Sequence, residues 1–224
     1  MKTVISISLG SKSQDFEFTT PFLGQKLHVQ RLGTDGSISR ATKLLKHWDQ
    51  HADAIGLGVV KDSYTVGSTR FVEKDSVRLK SAVTRVPVTT GGRLSDILQE
   101  WALRHVQGKL GGYFNNARVL FFSGRTNYKL AQAMSEYTGN LEFADPLLQL
   151  GVPKLLGSLD TLELYTSGAH YVLDWTPDAL MASAPVKEWT NFVLRRALRD
   201  ATVVVAPVHE LDDFGLEELA GKTI

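Results

Sequence analysis

The stretch from Ala117 to Met134, ARVLFFSGRTNYKLAQAM, constrains the chain most, because its hydrophobic period changes in the middle. Val119 to Phe122 is an unbroken apolar run, the pattern of a strand buried on both faces. From Thr126 onward Leu130, Ala131 and Met134 fall on one helical face. Ser123-Gly124-Arg125-Thr126 lies at the change, where a strand ends and a helix begins. Open α/β sheets bind ligands at that edge, since unpaired helix N-terminal amides favour anions. Gly124 would let the backbone approach a ligand, Thr126 could cap the helix, and Arg125 could grip a phosphate or carboxylate through two parallel hydrogen bonds. The plainer alternative leaves Arg125 as a solvated loop residue.

Around that stretch, strands and helices alternate. Ile5, Ile7 and Leu9 alternate with serines as in a strand, residues 14 to 32 read as a β-hairpin, and Ser37 caps a helix expected over about 38 to 50. Asp53 to Val60 is a strand, Tyr64 to Val72 a strand or hairpin, and Lys74 to Val83 a helix. Arg85 to Thr90 reads as a strand breaking at Thr89-Thr90-Gly91-Gly92. Leu94, Ile97, Leu98, Trp101, Ala102 and His105 follow at helical spacing, with Trp101 expected on a core face. Gln107 to Asn116, with three glycines and two asparagines, is the candidate linker. Leu141 to Phe143 is a short strand, Asp160 to Tyr165 a helical turn or short strand, the segment around Trp189 a helix with that tryptophan on its core face, and Ala201 to Ala206 a strand. Residues 219 to 224 read as a turn entering another strand, which implies either a truncated sequence or a sheet without its expected last strands. The expected fold class is therefore α/β: a mainly parallel sheet flanked by helices, with an antiparallel hairpin near the N-terminus.

Composition excludes several functions. The chain has 224 residues, no cysteine, and 25 basic against 24 acidic residues. Disulfide scaffolds, thiolate metal sites and cysteine nucleophiles are excluded, which fits a cytoplasmic protein. A formal charge of +1 provides no field for nucleic acid or an anionic membrane, so a small-molecule partner is expected, with a homodimer left open. No segment approaches the roughly 18 consecutive apolar residues of a membrane span, and the N-terminus reads as a mature strand with no signal peptide. His47 and His51 share a helix spacing without a third ligand, so no metal site is expected.

Two constellations could carry chemistry. In the first, Thr90, Gly91 and Gly92 after one strand and Ser123, Gly124, Arg125 and Thr126 after the next share one rim of a parallel sheet. The glycine turn would hold a pyrophosphate and Arg125 a ribose phosphate, although no G-x-G-x-x-G occurs and the glycines also suit simple tight turns. In the second, Lys61 and Asp62 form an acid–base pair for oxidising an alcohol, with Gly58 and Asp35 at neighbouring strand ends on the substrate side. A solvated Lys-Asp turn is the commoner form of that dipeptide. His209-Glu210 and Asp212-Asp213, after another strand, could also meet a substrate or form a plain acidic loop.

Seven short blocks then carry a resemblance: VISISLGS (4–11), RLGTDGSISRA (31–41), DAIGLG (53–58), PVTTGGRLSDILQ (87–99), ARVLFFSG (117–124), ADPLLQLGVP (144–153) and LAGKTI (219–224). In order and character the chain resembles bacterial proteins labelled quinate 5-dehydrogenase, which extend beyond the point where this sequence stops. The resemblance implies a cytoplasmic oxidoreductase that uses NADP or NAD on a hydroxylated ring acid such as quinate or shikimate. With the candidate linker as boundary, the expected domains are a substrate-side α/β domain over 1–106 and a Rossmann-like domain, truncated or whole, over 107–224. Gly124-Arg125-Thr126, followed by Lys129, Leu130 and Ala131, is similar to the Asn-Arg-Thr segment with which shikimate dehydrogenases select the phosphate of NADP. The rival expectation is a non-catalytic α/β module that binds a small anionic metabolite or nucleotide.

Overall fold

The computed structural model describes residues 1–173, 184–207, 211 and 216–224, without the side chains at 169–173, 184–187 and 216. The chain divides into two compact units: Met1–Tyr64 with Phe71–Ser95, and Thr65–Arg70 with Asp96–Ile224. The division falls at residue 95, inside the helix Gly92–Lys109, and not at 106. Gln107 and Gly108, the start of the expected linker, belong to that helix, because glycine is tolerated near a helix end.

The first unit is built on a five-stranded sheet. Its strands are β1 (Lys2–Ser8), β2 (Phe16–Phe22), β3 (Gln25–Gly33), β4 (Ala54–Gly58) and β7 (Val88–Thr89), in the order β2-β3-β1-β4-β7. Only the β2–β3 pair is antiparallel. Its turn, Leu23-Gly24, has φ of 46° and 75°, the left-handed pair that matches the twist of a two-residue hairpin. Helix α1 (Ile38–Trp48) starts at Ser37, whose side chain accepts from the Arg40 amide at 3.3 Å. Ala41 and Leu45 of α1 pack with Ile5, Ile7, Ile55 and Leu57 and with Leu79 from α2 (Lys74–Lys80) to form the core. The hairpin β5 (Ser63–Val66) and β6 (Thr69–Val72) lies between β4 and α2 in sequence. Asp49, 4% exposed at the end of α1, accepts from the amides of Thr84, Arg85 and Val86 and from the Thr84 hydroxyl, which fixes the chain entering β7.

The second unit has a parallel three-stranded sheet in the order β10-β8-β9, from β8 (Val119–Phe121), β9 (Leu141–Phe143) and β10 (Val203–Val205). Leu120, Phe122 and Val204 pack on one face against α7 (Ala184–Asp200) through Leu194, Ala197 and Leu198. Phe121, on the other face, meets Phe143 with ring centroids 5.2 Å apart. Burial of both faces explains the unbroken apolar run. Helix α4 (Tyr128–Ser135) connects β8 to β9, α5 (Asp145–Leu150), α6 (Leu159–Leu173) and α7 lie between β9 and β10 in sequence, and α8 (Leu216–Leu219) precedes a parallel bridge between Thr223 and Val203. The protein is thus an α/β fold, mainly parallel and flanked by helices, with an antiparallel hairpin near the N-terminus.

The helix Gly92–Lys109, α3, corrects one expectation. Leu94, Ile97, Leu98 and Trp101 do share a helical face, but they are 53–62% exposed, and Leu103 is the buried residue. His105 is exposed and stacks on Trp101 at 5.0 Å. Trp189, also expected in the core, is 53% exposed. Periodicity identifies the stripe and leaves open whether anything covers it. No helix among the described residues is long and apolar enough to cross a membrane.

Candidate functional site

The turn after β8 is closed by a carboxylate from its neighbouring strand. Asp145, two residues beyond β9, is fully buried. Its Oδ2 accepts from the Gly124 amide at 2.7 Å and its Oδ1 from the Arg125 amide at 3.1 Å. Two consecutive amides that the sequence offered to a ligand anion therefore hold an internal one. Burial pushes the Asp145 carboxyl up, and the two amide bonds and the Arg125 charge only partly offset that.

Behind the carboxylate, Gln149 of α5 donates to Asp145 Oδ1 at 3.4 Å, and the Tyr165 hydroxyl of α6 donates to Gln149 Oε1 at 3.2 Å. Burial and the Asp145 charge push the Tyr165 phenol up to about 12, against the opposing charge of Arg125. The half-buried Arg125 thus shares a small polar cluster with Asp145 and Tyr165. Nearby, the Tyr128 hydroxyl donates to Glu163 of α6, and burial followed by that carboxylate pushes the phenol up to about 12.

Two residue roles change. A Cβ at Gly124 would lie 2.3 Å from Phe143 Cδ1 and 2.8 Å from Leu162 Cδ2, so this glycine is required by packing and does not open the backbone to a ligand. Thr126 does not cap α4. Asn127 occupies the N-cap position, while the Thr126 hydroxyl donates to Ser123 Oγ at 2.9 Å.

The other candidates collect at the C-terminal edge of the first unit's sheet. Gly91 has φ of 68°, which favours glycine, and the amides of Gly91 and Gly92 donate to the hydroxyls of Thr89 and Thr90 at 3.2 and 3.3 Å. A Cβ at Gly92 would lie 3.8 Å from Lys61 Cγ, so the Lys61 stem runs beside this turn. Asp62 accepts from Lys80 Nζ at 2.6 Å and Ser76 Oγ at 3.0 Å, and from the Thr90 hydroxyl. Burial pushes its carboxyl up, and the bonds from Lys80 and Ser76 outweigh that and hold it below the usual range. Asp62 therefore ties α2 to the β4 and β7 strand ends.

Asp35, with φ of 51°, is held by the Lys12 amide at 2.9 Å and the Lys12 ammonium at 3.5 Å, and the amide bond chiefly lowers its pKa. A Cβ at Gly58 would lie 2.8 Å from Ser8 Oγ, so the missing side chain accommodates the neighbouring strand β1.

Lys61, Asp62, Thr90, Gly91 and Gly92 thus come together in the first unit, and Ser123, Gly124, Arg125 and Thr126 belong to the second. The two glycine-bearing turns do not share a rim of one sheet: β7 belongs to the five-stranded sheet and β8 to the three-stranded one. The reason is the 18-residue α3 between them, which carries the chain from one unit into the next. His209, Glu210, Asp212 and Asp213 lie outside the described residues. The sequence also gave no sign of a groove of about 520 Å³ at the opposite edge of the second unit's sheet, lined by Arg118, Asn140, Glu142 and Asp200 among others.

Connections in the second unit diverge next to the Arg125 turn. β8 leads to β9 on one side, whereas β10, adjacent to β8 on the other, leads on to Thr223 beyond it. In open parallel sheets ligands bind at the C-terminal strand ends beside such a reversal. Sequence reasoning missed Asp145 and Gln149 there, because Asp145 finds its partner amides 21 and 20 residues back along the chain.

No curated protein matches the chain at a significant level. Among solved structures, it is similar to the catalytic subunit of aspartate transcarbamoylase from M. jannaschii, with 17% identity and a TM-score of 0.31 over 63% of this chain and 46% of that one. It is also similar to anabolic ornithine carbamoyltransferase from Campylobacter jejuni, with 10% identity and a TM-score of 0.34 over 100% of this chain and 72% of that one. The chain thus spans less than half the length of the first of these proteins. Residues 3–90 match the model described as Domain of unknown function (DUF8753), and residues 93–224 match Domain of unknown function (DUF8754). Since that second match takes in more than half of its residues, the chain belongs to the DUF8754 family.

Proposed function

We propose that the chain is an NAD(P)-dependent oxidoreductase acting on a hydroxylated ring acid of the quinate or shikimate kind, with a nucleotide phosphate gripped by Arg125. The observation that carries this reading is the position of Arg125 at the C-terminal end of β8, where the strand order of the parallel sheet reverses between β8 and β10. The short blocks resembling quinate 5-dehydrogenases supply the reaction class and the substrate.

The fit to a dinucleotide is partial. A phosphate monoester suits the Arg125 guanidinium with the hydroxyls of Ser123 and Thr126 close by, which favours NADP over NAD. A pyrophosphate cradle of bare turn amides does not fit, because those of Gly91, Gly92, Gly124 and Arg125 already donate within the chain. A bound nicotinamide would supply the hydride chemistry. On the substrate side, Lys61 is the proposed base for the alcohol proton, with Asp62 and Thr90 fixing the strand ends beside it.

The internal satisfaction of all four amides favours a second reading, a non-catalytic module that binds a small anionic metabolite through side chains alone. Incubation with NADP and quinate or shikimate, followed by NADPH absorbance, separates the two. Substrate-dependent reduction that is lost in Lys61→Met supports the oxidoreductase, and NADPH binding without turnover of either acid supports the module.

A further inference from the structure

We infer that Asp145 is a positioning residue for Arg125: its buried carboxylate clamps the consecutive amides of Gly124 and Arg125 and so fixes the loop from which the guanidinium meets a ligand anion. This inference rests on the reading of Arg125 as the anion-binding residue.

Asp145 is fully buried and so cannot touch a ligand from where it stands. Both its oxygens are used, one for each amide, at 2.7 and 3.1 Å. Charge-assisted bonds of this kind are shorter and stronger than neutral ones, and a pair on adjacent amides leaves a four-residue turn little freedom. The clamp is itself held from behind, since Gln149 donates to its Oδ1 and Tyr165 to Gln149. On the other side of the turn, Gly124 is pressed against Phe143 and Leu162, so the loop cannot relax toward the sheet. Elsewhere such amides hold the ligand's anion. Here the protein supplies that anion, and ligand recognition passes to the one cationic side chain that the clamped loop carries.

Asp145→Asn keeps the size of the side chain and replaces one acceptor oxygen by a donor, so one of the two amides must lose its bond. The first readout needs no nucleotide. Phenylglyoxal modification of Arg125, followed by peptide mass spectrometry, is expected to be several-fold faster in Asp145→Asn than in wild type, with Arg118 unchanged. Equal Arg125 rates in the two proteins overturn the clamp. Should Asp145→Asn fail to fold, Gln149→Leu decides the same question, with faster Arg125 modification expected and an unchanged rate contradicting it.

The second readout is the ratio of NADPH to NADH dissociation constants. Asp145→Asn should weaken NADPH about tenfold, the size of one charge-assisted hydrogen bond, and leave NADH nearly unchanged. A purely structural carboxylate would weaken both alike, and that result overturns positioning. If wild type binds neither dinucleotide, the nucleotide reading of Arg125 fails, while the modification rates still decide whether Asp145 holds the loop.

Discussion

The carboxylate of Asp145 and the backbone amide of Gly124 stand 21 residues apart in sequence and 2.7 Å apart in space. That bond joins the end of β9 to the turn after β8 and satisfies, within the protein, a donor that a strand-end turn ordinarily offers to a ligand. The amides of Gly124 and Arg125 are therefore already engaged within the protein at this edge.

The turn is also closed from the sheet side, which gives a direct stability test. In Gly124→Ala the new methyl group meets Phe143 and Leu162, both fully buried and unable to yield. A loss of about 1–3 kcal/mol is expected from chemical denaturation. Gly139→Ala, with nothing within 4 Å of the added carbon, should change stability by no more than about 0.5 kcal/mol. Equal losses at the two positions would contradict the packing role of Gly124.

Asp49 provides the pH test. Burial pushes its carboxyl up, and bonds from the amides of Arg85, Thr84 and Val86 and from the Thr84 hydroxyl outweigh that, so it titrates below the usual 3.8. A depressed folded-state pKa contributes stability above the unfolded-state value and loses it as pH falls through the folded-state value. Wild type should therefore exceed Asp49→Asn in stability at neutral pH, and the gap should close below about pH 4. Urea denaturation at a series of pH values measures it, and a gap that widens in acid would contradict the assignment.

The outward stripe of α3 predicts a contrast within one helix. Leu98→Gln should alter stability by no more than about 0.5 kcal/mol, because Leu98 is 53% exposed. Leu103→Ala, at a position 5% exposed, should cost about 2–5 kcal/mol. Denaturation midpoints of the two variants decide it, and a larger loss at Leu98 would mean that the stripe is covered.

What was legible in the sequence was set by neighbours along the chain. The Ser37 cap, the Leu23-Gly24 hairpin turn and the doubly buried run from Val119 each depend on a few adjacent residues. What was hidden depends on distant partners. Nothing in Gly124 announces Phe143 and Leu162, and nothing in Asp62 announces Lys80. The glycines after Gln107 resemble a linker, yet the division falls earlier because α3 has enough helix-forming residues to continue through Gly108. Strand-turn-helix repetition in Thr89–Gly92 and Ser123–Thr126 suggested one sheet, and only hydrogen-bonded register assigns β7 and β8 to different sheets.

The central claim, that Arg125 reads a nucleotide phosphate, is tested most directly by thermal unfolding of wild type and Arg125→Ala with NADPH and with NADH. A ligand specific for the folded state stabilises it by about 2.7 kcal/mol at a hundredfold excess over its dissociation constant, which corresponds to roughly 5–10 °C for a chain of this size. Wild type is expected to show that rise with NADPH and a smaller one with NADH, and Arg125→Ala to lose the difference between them. No rise with millimolar NADPH, or an equal loss for both dinucleotides in Arg125→Ala, would contradict it.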